Sequence, residues 1–429
     1  MRIHLSALGC RLNEAELEQW ASSFTRAGDK ISTDPADADV LVMNTCAVTR
    51  EAVRKSRQKI QSLQRTNPQA KLVVSGCYSE LTPASEMAEL GVDLVIPNTR
   101  KDDLVPLTRS TFSQPDMPQA ATQPDATPLF ARNRHRAFIK IQDGCRYRCT
   151  FCIVTVARGA ERSRAIQEIV EEVRQLQLND VREIVLTGVH VGGYGSDLDT
   201  SLESLVKALL DDTDIQRIRF ASVEPWDLSD GFLYLFDNKR IQPHMHLPLQ
   251  SGSDTVLRRM ARRCKTADFN HLTTSLRQAV PEFNVTTDII AGFPGESEQE
   301  WQESLAFIRT QAFGHIHAFT YSEREGTKAA TLPDAVPVEI RQQRSRELHQ
   351  LGEQLKQQQL EASLSTTAEV LWEKGKAIET PGEATVWRHQ GYTPNYQRVV
   401  IHHSENIANQ ILPTQLTHTD NGKLCGKLV

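Results

Sequence analysis

Strand-like and helix-like hydrophobic patterns alternate through the first hundred residues of the chain. The buried-strand segments RIHLSAL, VLVMNT, LVVSG and VDLVIP are separated by amphipathic stretches at about Glu14–Ala27, Glu51–Gln64 and Pro83–Leu90. Continuous apolar strands joined by helices are typical of a parallel sheet with right-handed crossovers. The pattern therefore predicts an N-terminal parallel-sheet α/β domain over residues 1–109.

The pattern changes twice more along the chain. Residues 110–130 are rich in Pro, Gln, Ala and Thr without periodicity, which predicts a linker. Six strand patterns then alternate with helices (AFIKIQ, EIVLTGV, RIRFASV, HMHLPL, VTTDIIAGF and HIHAFTY), and a long polar helix follows at about Val338–Ala362. These six units predict a central partial (β/α)6 barrel over residues 131–364. Short β-rich runs between turn residues predict a small, OB-like antiparallel β-barrel over residues 365–429.

The composition distinguishes a globular protein from a membrane-spanning or secreted one. The chain has 429 residues, of which 39% are hydrophobic and 24% charged, and this balance is typical of a globular protein of several domains. It contains no apolar run long enough to cross a membrane, and its first residues lack the apolar core of a secretory signal. We therefore expect a cytoplasmic protein without a membrane partner, in which cysteines serve metal or catalytic roles and not disulfides.

Cys145, Cys149 and Cys152 form a C-x3-C-x2-C motif on the loop after the strand AFIKIQ. Three thiolates this close together can hold three irons of a [4Fe–4S] cluster and leave the fourth iron open to S-adenosylmethionine. A zinc site would need a fourth ligand, and a redox pair of Cys149 and Cys152 would leave Cys145 unexplained. The motif therefore favours a cluster that cleaves S-adenosylmethionine to a radical.

Cys10, Cys46 and Cys77 are far apart in sequence, but each follows a predicted parallel strand. Because ligand sites gather at the carboxyl ends of parallel strands, we expect these three thiols to converge. Taken singly, each could be a buried small apolar residue. Together they favour a second three-cysteine cluster. Cys264 and Cys425 lie outside both patterns, and we expect neither to be a ligand.

Basic side chains are clustered, although the net charge of −5 does not indicate a nucleic-acid-binding protein. The clusters comprise Arg132, Arg134, His135 and Arg136; Arg158, Arg162 and Arg164; and Arg258, Arg259, Arg262, Arg263 and Lys265. They form either solvated faces or an RNA-facing surface. Near the C-terminus, Tyr392, Tyr396 and Arg398 combine stackable rings with a guanidinium, which indicates either RNA binding or ordinary barrel packing.

These motifs resemble those of the radical-SAM methylthiotransferases, over nearly the whole chain and in the same domain order. DGCRYRCTFCIVTVARG is similar to the radical-SAM signature of that family. LGCRLNEAE, NTCAVT and SGCYSE resemble the cysteine motifs of its N-terminal domain, and GYTPNYQRV resembles its RNA-binding TRAM domain. Within the family, LTGVHVGGYGSDL, RIRFASVEPWDL and HMHLPLQSGSDTVLRRM are most similar to enzymes that methylthiolate N6-threonylcarbamoyladenosine beside the tRNA anticodon.

The resemblance implies two [4Fe–4S] clusters and S-adenosylmethionine as cofactors. Cys145, Cys149 and Cys152 would hold the radical-generating cluster, and Cys10, Cys46 and Cys77 an auxiliary cluster that carries the sulfur. The candidate cofactor contacts at strand ends are Thr187, Gly188, Ser222, Glu224, Gln250, Ser251, Asp288 and Gly292. Strand-end turns also contain such residues for conformational reasons alone. His244 and His246 are interpreted as hydrogen-bonded core residues.

The implied substrate is the anticodon stem-loop of a tRNA, with C2 of the adenine as the reacting carbon. Radical chemistry of this kind implies an electron donor such as flavodoxin or ferredoxin, and we expect a monomer. Isopentenyladenosine in tRNA and a ribosomal-protein aspartate are alternative substrates within the family. An alternative of another class is a non-catalytic RNA-binding protein stabilised by zinc. The chain departs from the usual family pattern at Thr155, Val156, Cys264 and Glu325.

Overall fold

The computed structural model describes residues 1–112, 135–228, 230–378 and 385–429. Most of the predicted linker lies outside the described residues, as do Arg132 and Arg134. No helix in the described ranges is long and apolar enough to cross a membrane.

The N-terminal domain is a five-stranded parallel sheet, as the sequence predicts. Its strands have the order β2-β1-β3-β4-β5. They are β1 (Arg2–Ala7), β2 (Lys30–Ser32), β3 (Val40–Thr45), β4 (Lys71–Gly76) and β5 (Leu94–Ile96). The helices are α1 (Arg11–Arg26), α2 (Arg50–Thr66), α3 (Cys77–Leu81), α4 (Ala84–Glu89) and α5 (Leu104–Phe112). Strand β3 is buried along its whole length because helices cover both faces of the sheet. The edge strand β2 is too short and too polar to be recognised from the sequence.

The central domain contains six parallel barrel strands. They are β6 (Arg136–Lys140), β9 (Glu183–Thr187), β10 (Arg217–Phe220), β11 (His244–His246), β12 (Asn284–Ala291) and β13 (His315–Thr320). A two-stranded pair, β7 (Gln142–Asp143) and β8 (Arg162–Ser163), flanks the first cysteine loop. Hydrogen-bonded pairing gives the sheets β6-β9-β10 and β11-β12-β13, and the bridge between Ser222 and His246 joins them. The predicted partial (β/α)6 barrel is thereby confirmed.

The barrel helices cover the outside of these strands. They are α7 (Ile166–Leu178), α8 (Leu202–Asp212), α9 (Asp254–Arg259), α10 (Thr266–Ala279), α11 (Glu298–Thr310) and α12 (Val338–Ala362). The short helix α6 (Val154–Arg158) follows the first cysteine loop and contacts α3 of the N-terminal domain. The largest hydrophobic core of the described chain lies between this helical layer and the strands. The long helix α12 packs against β13 and leads into the C-terminal domain.

The C-terminal domain is the predicted small β-barrel. Its strands are β14 (Thr367–Trp372), β15 (Lys376–Ile378), β16 (Val386–Tyr392), β17 (Arg398–His403), β18 (Ile411–Asp420) and β19 (Lys423–Leu428). Their order is β14-β18-β19-β17-β16-β15, and an additional β14–β16 pairing closes the barrel. The pairings are antiparallel except for β17 with β19.

Both outer domains pack against the central barrel. Helix α1 lies along β6. The turn between β16 and β17 contacts residues at the amino-terminal ends of β6 and β12. There Arg219 donates a hydrogen bond to the Pro394 carbonyl at 2.9 Å, and Asn284 donates one to the Asn395 carbonyl at 2.8 Å. We retain domain bounds of 1–109, 131–364 and 365–429 as a proposal, noting that α5 continues to Phe112.

Candidate active site

Three cysteines of the N-terminal domain meet at one edge of its sheet. Cys10 is the N-cap residue of α1, Cys46 follows β3, and Cys77 begins α3 directly after β4. A Cβ atom on Gly9 would lie 2.6 Å from the Cys46 sulfur, so the Cys10 and Cys46 loops are in direct contact. Burial, with smaller contributions from the neighbouring thiols of Cys10 and Cys77, raises the pKa of the Cys46 thiol to about 11. The predicted convergence is therefore present in the fold.

The second trio lies on the loop between β7 and α6. The Cys145 thiol accepts a hydrogen bond from the Tyr147 amide at 3.4 Å, and the Arg262 guanidinium lies 3.8 Å from the Cys149 sulfur. Burial, with smaller contributions from Glu224, Cys152 and Cys149, raises the pKa of the Cys145 thiol to about 12. All eight cysteines of the chain are free thiols. Each trio thus offers three neighbouring sulfur donors, the donor set that an iron–sulfur cluster with one open iron requires.

A buried histidine braces the loop of the second trio. His190 contacts Glu161 through Nδ1 and lies 2.6 Å from an Asp227 oxygen through Nε2. Burial alone would lower its pKa, but Asp227 and the other acidic neighbours raise it. The Tyr147 hydroxyl donates to Asp227 at 2.8 Å, which links this network to the cysteine loop. Both ring nitrogens of His190 are therefore already occupied, and the residue positions the loop.

A cavity of about 700 Å³ lies inside the central barrel, and all three domains line it. Cys10 and Arg11 contribute from the N-terminal domain, and Tyr396 from the C-terminal barrel. Among the predicted cofactor contacts, the cavity is lined by Thr187, Gly188, Ser222 and Asp288. The cavity is therefore a candidate substrate chamber that reaches one cysteine of the N-terminal trio.

The other four predicted contacts lie outside the lining of this cavity. Glu224 follows β10 and is electrostatically coupled to Cys145, and Gln250 adopts a positive φ of 76° beside β12. The Ser251 hydroxyl accepts a hydrogen bond from the Ser253 amide at 3.2 Å, which gives it a structural role in its turn. Gly292 has a φ of 78° and donates its amide to Glu296.

Two observations test whether this region fits S-adenosylmethionine. Oε2 of Glu224 is buried without a hydrogen-bond partner among the described residues, so an amino or hydroxyl group of a ligand would satisfy it. Gly188 lines the cavity without a side chain, so a ligand can approach the backbone at the end of β9. The residues present therefore fit the cofactor that the cysteine motif predicts.

Parts of the predicted RNA-facing surface are buried within the protein. The Arg158 side chain is 2% exposed and pairs with Glu16 and Asp143, and Arg136 pairs with Glu183 at 3.3 Å. Neither a solvated face nor an RNA-facing surface describes these two arginines. Arg158 joins the central domain to the N-terminal domain, and Arg136 also pairs with Glu373 of the C-terminal barrel at 2.6 Å. Arg258 and Arg263 of the third cluster are exposed.

Of the two alternatives given for Tyr396, RNA binding or packing, the contacts within the protein support packing, although Tyr396 also lines the cavity. Its hydroxyl accepts hydrogen bonds from Arg11 and Arg136, each at 3.0 Å. Its ring stacks on Tyr392, with 4.8 Å between the ring centroids, and lies beside the guanidinium of Arg219. Tyr396 therefore belongs to the junction between the C-terminal barrel and the central domain, whereas Arg398 is exposed.

The two histidines of β11 are hydrogen-bonded, as interpreted from the sequence, but they also line the cavity. His244 Nε2 lies 3.2 Å from the Thr286 hydroxyl, and His246 Nδ1 lies 3.0 Å from the same oxygen. His246 also pairs with Asp288 at 3.2 Å.

Several cavity residues escaped the sequence analysis. Arg11 directly follows a predicted ligand, and His317 alternates with His315 on β13, a period-2 signal similar to that of β11. His246, Asp288 and His317 place ligand atoms within 4.8 Å of one another. The alternation on β13 was the one signal that could have identified its inward-facing side chains.

Comparison with known proteins agrees with this arrangement. Residues 2–97 match the family model described as Uncharacterized protein family UPF0004, and residues 139–308 match the model of the Radical SAM superfamily. A solved structure of the radical S-adenosylmethionine methyltransferase TsrM from Kitasatospora setae has a TM-score of 0.57 to this chain at 13% identity, covering 77% of each chain. The fold and the cysteine loop thus define a radical SAM enzyme.

Two similar proteins indicate which family of radical SAM enzymes the chain belongs to. The chain is 35% identical to the threonylcarbamoyladenosine tRNA methylthiotransferase MtaB of Bacillus subtilis, over 95% of this chain and 92% of that protein. It is 30% identical to the tRNA-2-methylthio-N(6)-dimethylallyladenosine synthase of Geobacillus kaustophilus, over 100% of this chain and 82% of that protein. The chain belongs to the radical SAM tRNA methylthiotransferase family. Its cofactors are accordingly S-adenosylmethionine and [4Fe–4S] clusters.

Proposed function

We propose that this enzyme converts N6-threonylcarbamoyladenosine in the anticodon loop of tRNA to its 2-methylthio derivative. The observation that carries the proposal is the cavity that all three domains line and that reaches Cys10. The similarity to MtaB of Bacillus subtilis over nearly the full length of both proteins supports the choice of nucleoside.

We assign each cysteine trio to a different cluster. Cys145, Cys149 and Cys152 would hold the radical-generating cluster, and Cys10, Cys46 and Cys77 the auxiliary cluster. When bound, the two clusters and S-adenosylmethionine supply the carbon-centred radical, the sulfur and the methyl group that the reaction needs. An aromatic C–H bond is too inert for acid–base chemistry at neutral pH, so the contribution of the protein is to position the reactants.

Strand-end residues would bind and orient the cofactor and the base. The buried carboxylate of Glu224 and the small turn at Thr187 and Gly188 lie on the cofactor side, at the carboxyl ends of β9 and β10. Asp288 and Ser222 line the cavity. The Asp288 carboxylate can accept hydrogen bonds from a ribose or a base, and the Ser222 hydroxyl can accept or donate them. The arginine Arg262, held by the Pro248 carbonyl and lying 4.3 Å from the centroid of the Trp226 ring, adds a fixed positive charge beside Cys149.

A monomer is the proposed working unit. An external one-electron donor such as flavodoxin or ferredoxin would complete the reaction, and a tRNA substrate is consistent with a cytoplasmic site of action. These assignments, like the individual site residues, are part of the proposal.

The direct test uses protein purified without oxygen, S-adenosylmethionine, a reductant, and three synthetic anticodon stem-loops that differ at one adenosine. These carry N6-threonylcarbamoyladenosine, isopentenyladenosine or unmodified adenosine. Mass spectrometry of the digested product should show a methylthio group on the first substrate. A product on the isopentenyl substrate alone would overturn the choice of nucleoside and leave the chemistry in place. Colourless protein that contains zinc would overturn the enzymatic proposal itself.

A further inference from the structure

Cationic side chains outnumber carboxylates in the lining of the chamber inside the barrel. The described residues that line it include five cationic side chains and a single carboxylate, that of Asp288. The cations are Arg11, Arg219, Lys356, Arg398 and Lys423. Asp288 is itself paired with His246 at 3.2 Å. A chamber of this charge fits a substrate that carries an anionic group better than one with an apolar substituent.

Arg11 differs in its partners from Arg136 and Arg219, two other arginines near the chamber. Arg136 and Arg219 both form ion pairs with the buried carboxylate of Glu183, at 3.3 and 3.1 Å. Arg11 makes no ion pair within the described parts of the chain, and its Nη2 donates to the Tyr396 hydroxyl at 3.0 Å. Its remaining donors are therefore available to an anionic ligand.

The guanidinium of Arg11 is also held in place before any ligand binds. Its Cζ lies 5.2 Å from the centroid of the Phe138 ring and 5.7 Å from that of the Tyr396 ring. Rings on two sides and a hydrogen bond to one of them restrict its rotamers, so less conformational entropy is lost when a ligand binds. A planar, fixed guanidinium is suited to bidentate recognition of a carboxylate.

Arg11 directly follows Cys10, one of the three thiols assigned to the auxiliary cluster. In adenine, C2 and the N6 substituent lie on the same edge of the base. A nucleoside whose C2 faces the auxiliary cluster that Cys10 would help to hold therefore extends its N6 substituent along the same wall of the chamber. In N6-threonylcarbamoyladenosine, this substituent ends in the carboxylate of a threonine.

We propose that Arg11 is the specificity residue that binds the threonyl carboxylate of the substrate nucleoside. The inference rests on the proposed function, because the isopentenyl group of the alternative nucleoside has no charge. Phosphate groups of the tRNA backbone offer the same anionic oxygen chemistry, and the experiment must separate the two sources. A carboxylate contact affects only substrates that carry the threonylcarbamoyl group, whereas a phosphate contact affects every stem-loop equally.

The test compares binding of the cluster-loaded enzyme to two stem-loops, with N6-threonylcarbamoyladenosine or unmodified adenosine at the target position. Arg11→Gln should weaken binding of the first by about 10-fold to about 100-fold, the range expected on losing a charge-assisted hydrogen bond. Binding of the unmodified stem-loop should not change. Arg11→Lys keeps the charge and should recover part of the loss. Arg398→Gln, a matched loss of an exposed chamber cation, should weaken both stem-loops alike.

Two controls keep the outcomes distinct. Iron content of about eight atoms per chain and an unchanged rate of uncoupled S-adenosylmethionine cleavage show that Arg11→Gln retains both clusters. Equal weakening of both stem-loops by Arg11→Gln would assign Arg11 to phosphate and overturn the proposal, as would unchanged binding. If the unaltered enzyme itself does not distinguish the two stem-loops and gives no methylthio product from either, the proposed function fails together with this inference.

Discussion

Arg158 Nη1 lies 3.0 Å from a carboxylate oxygen of Glu16, which joins the end of the barrel's cysteine loop to helix α1 of the N-terminal domain. Lys101 and Lys140 also pair with Glu16, at 2.6 and 3.3 Å, and Asp143 pairs with Arg158 at 2.9 Å. Burial alone would raise the pKa of Glu16, but the three cations together hold it well below its usual range. This network fixes the two cysteine trios relative to each other.

Glu16→Gln should strongly destabilise the protein, because it leaves buried cations without their counter-charge. Removing one partner of a buried ion pair costs on the order of 3–5 kcal/mol. Thermal unfolding followed by circular dichroism should show a lowered midpoint. Glu51→Gln, which removes the exposed partner of Arg54, is the matched control and should leave the midpoint unchanged. An equal response of the two variants would contradict the role of the network.

Gly9→Ala should prevent assembly of the auxiliary cluster and spare the radical-generating one. The new Cβ would lie 2.6 Å from the Cys46 sulfur, and the φ of +105° is one that alanine rarely adopts. Iron analysis should therefore fall from about eight to about four atoms per chain. Gly28→Ala imposes a similar backbone strain at φ +88° but meets nothing within 4 Å, so its iron content should not change.

Replacing one cysteine of each trio should separate the two half-reactions. Cys149→Ala should abolish cleavage of S-adenosylmethionine, because the radical-generating cluster loses a ligand. Cys46→Ala should spare cleavage, measured as 5′-deoxyadenosine, but stop methylthio transfer.

Cys264→Ala is the control for these variants, because Cys264 is buried and lies outside both trios. It should retain both activities. Persistent cleavage in Cys149→Ala, or normal product from Cys46→Ala, would refute the assigned ligand sets.

The contribution of Glu183 to the free energy of unfolding should decrease as the pH falls below about 4.5. Burial alone would raise its pKa, but Arg219 and Arg136 lower it to about 2, compared with 4.5 for an ordinary glutamate. Above about pH 4.5 the ionised carboxylate contributes about 3 kcal/mol to the free energy of unfolding. This contribution is lost as the pH falls towards 2, because protonation then costs the folded state its ion pairs.

Urea unfolding of the wild type and Glu183→Gln at several pH values measures this effect. The stability difference between them should be largest near neutral pH and shrink steadily as the pH falls below about 4.5. A difference that does not vary over this range would show that Glu183 does not carry the charge assigned to it.

The convergence of Cys10, Cys46 and Cys77 could be predicted because it depends only on strand order and direction. Each cysteine follows an apolar run, the runs form parallel strands, and parallel strands end at one edge of a sheet. The same reasoning located the residues at the ends of β9, β10 and β12. These features are set by local periodicity and chain topology, which a single sequence carries.

Side-chain partners across domain junctions could not be predicted in this way. Glu16 and Arg158 are 142 positions apart, and Arg136 and Tyr396 are 260 apart. Nothing in the local sequence distinguishes a solvated arginine from one that is neutralised by a distant domain. For this reason the sequence left Arg136 and Arg158 as members of either a solvated face or an RNA-facing surface, and it did not predict the cationic chamber around Arg11.

The central claim is most directly tested by mass spectrometry of nucleosides from bulk tRNA. The comparison requires the parent strain, a strain without this gene, and that strain with the gene restored. The account predicts specific loss of 2-methylthio-N6-threonylcarbamoyladenosine in the deletion strain and its return on complementation. If that nucleoside persists and its isopentenyl counterpart disappears, the assigned substrate is contradicted. If neither nucleoside changes in a strain without a second such enzyme, the assigned reaction on tRNA is contradicted.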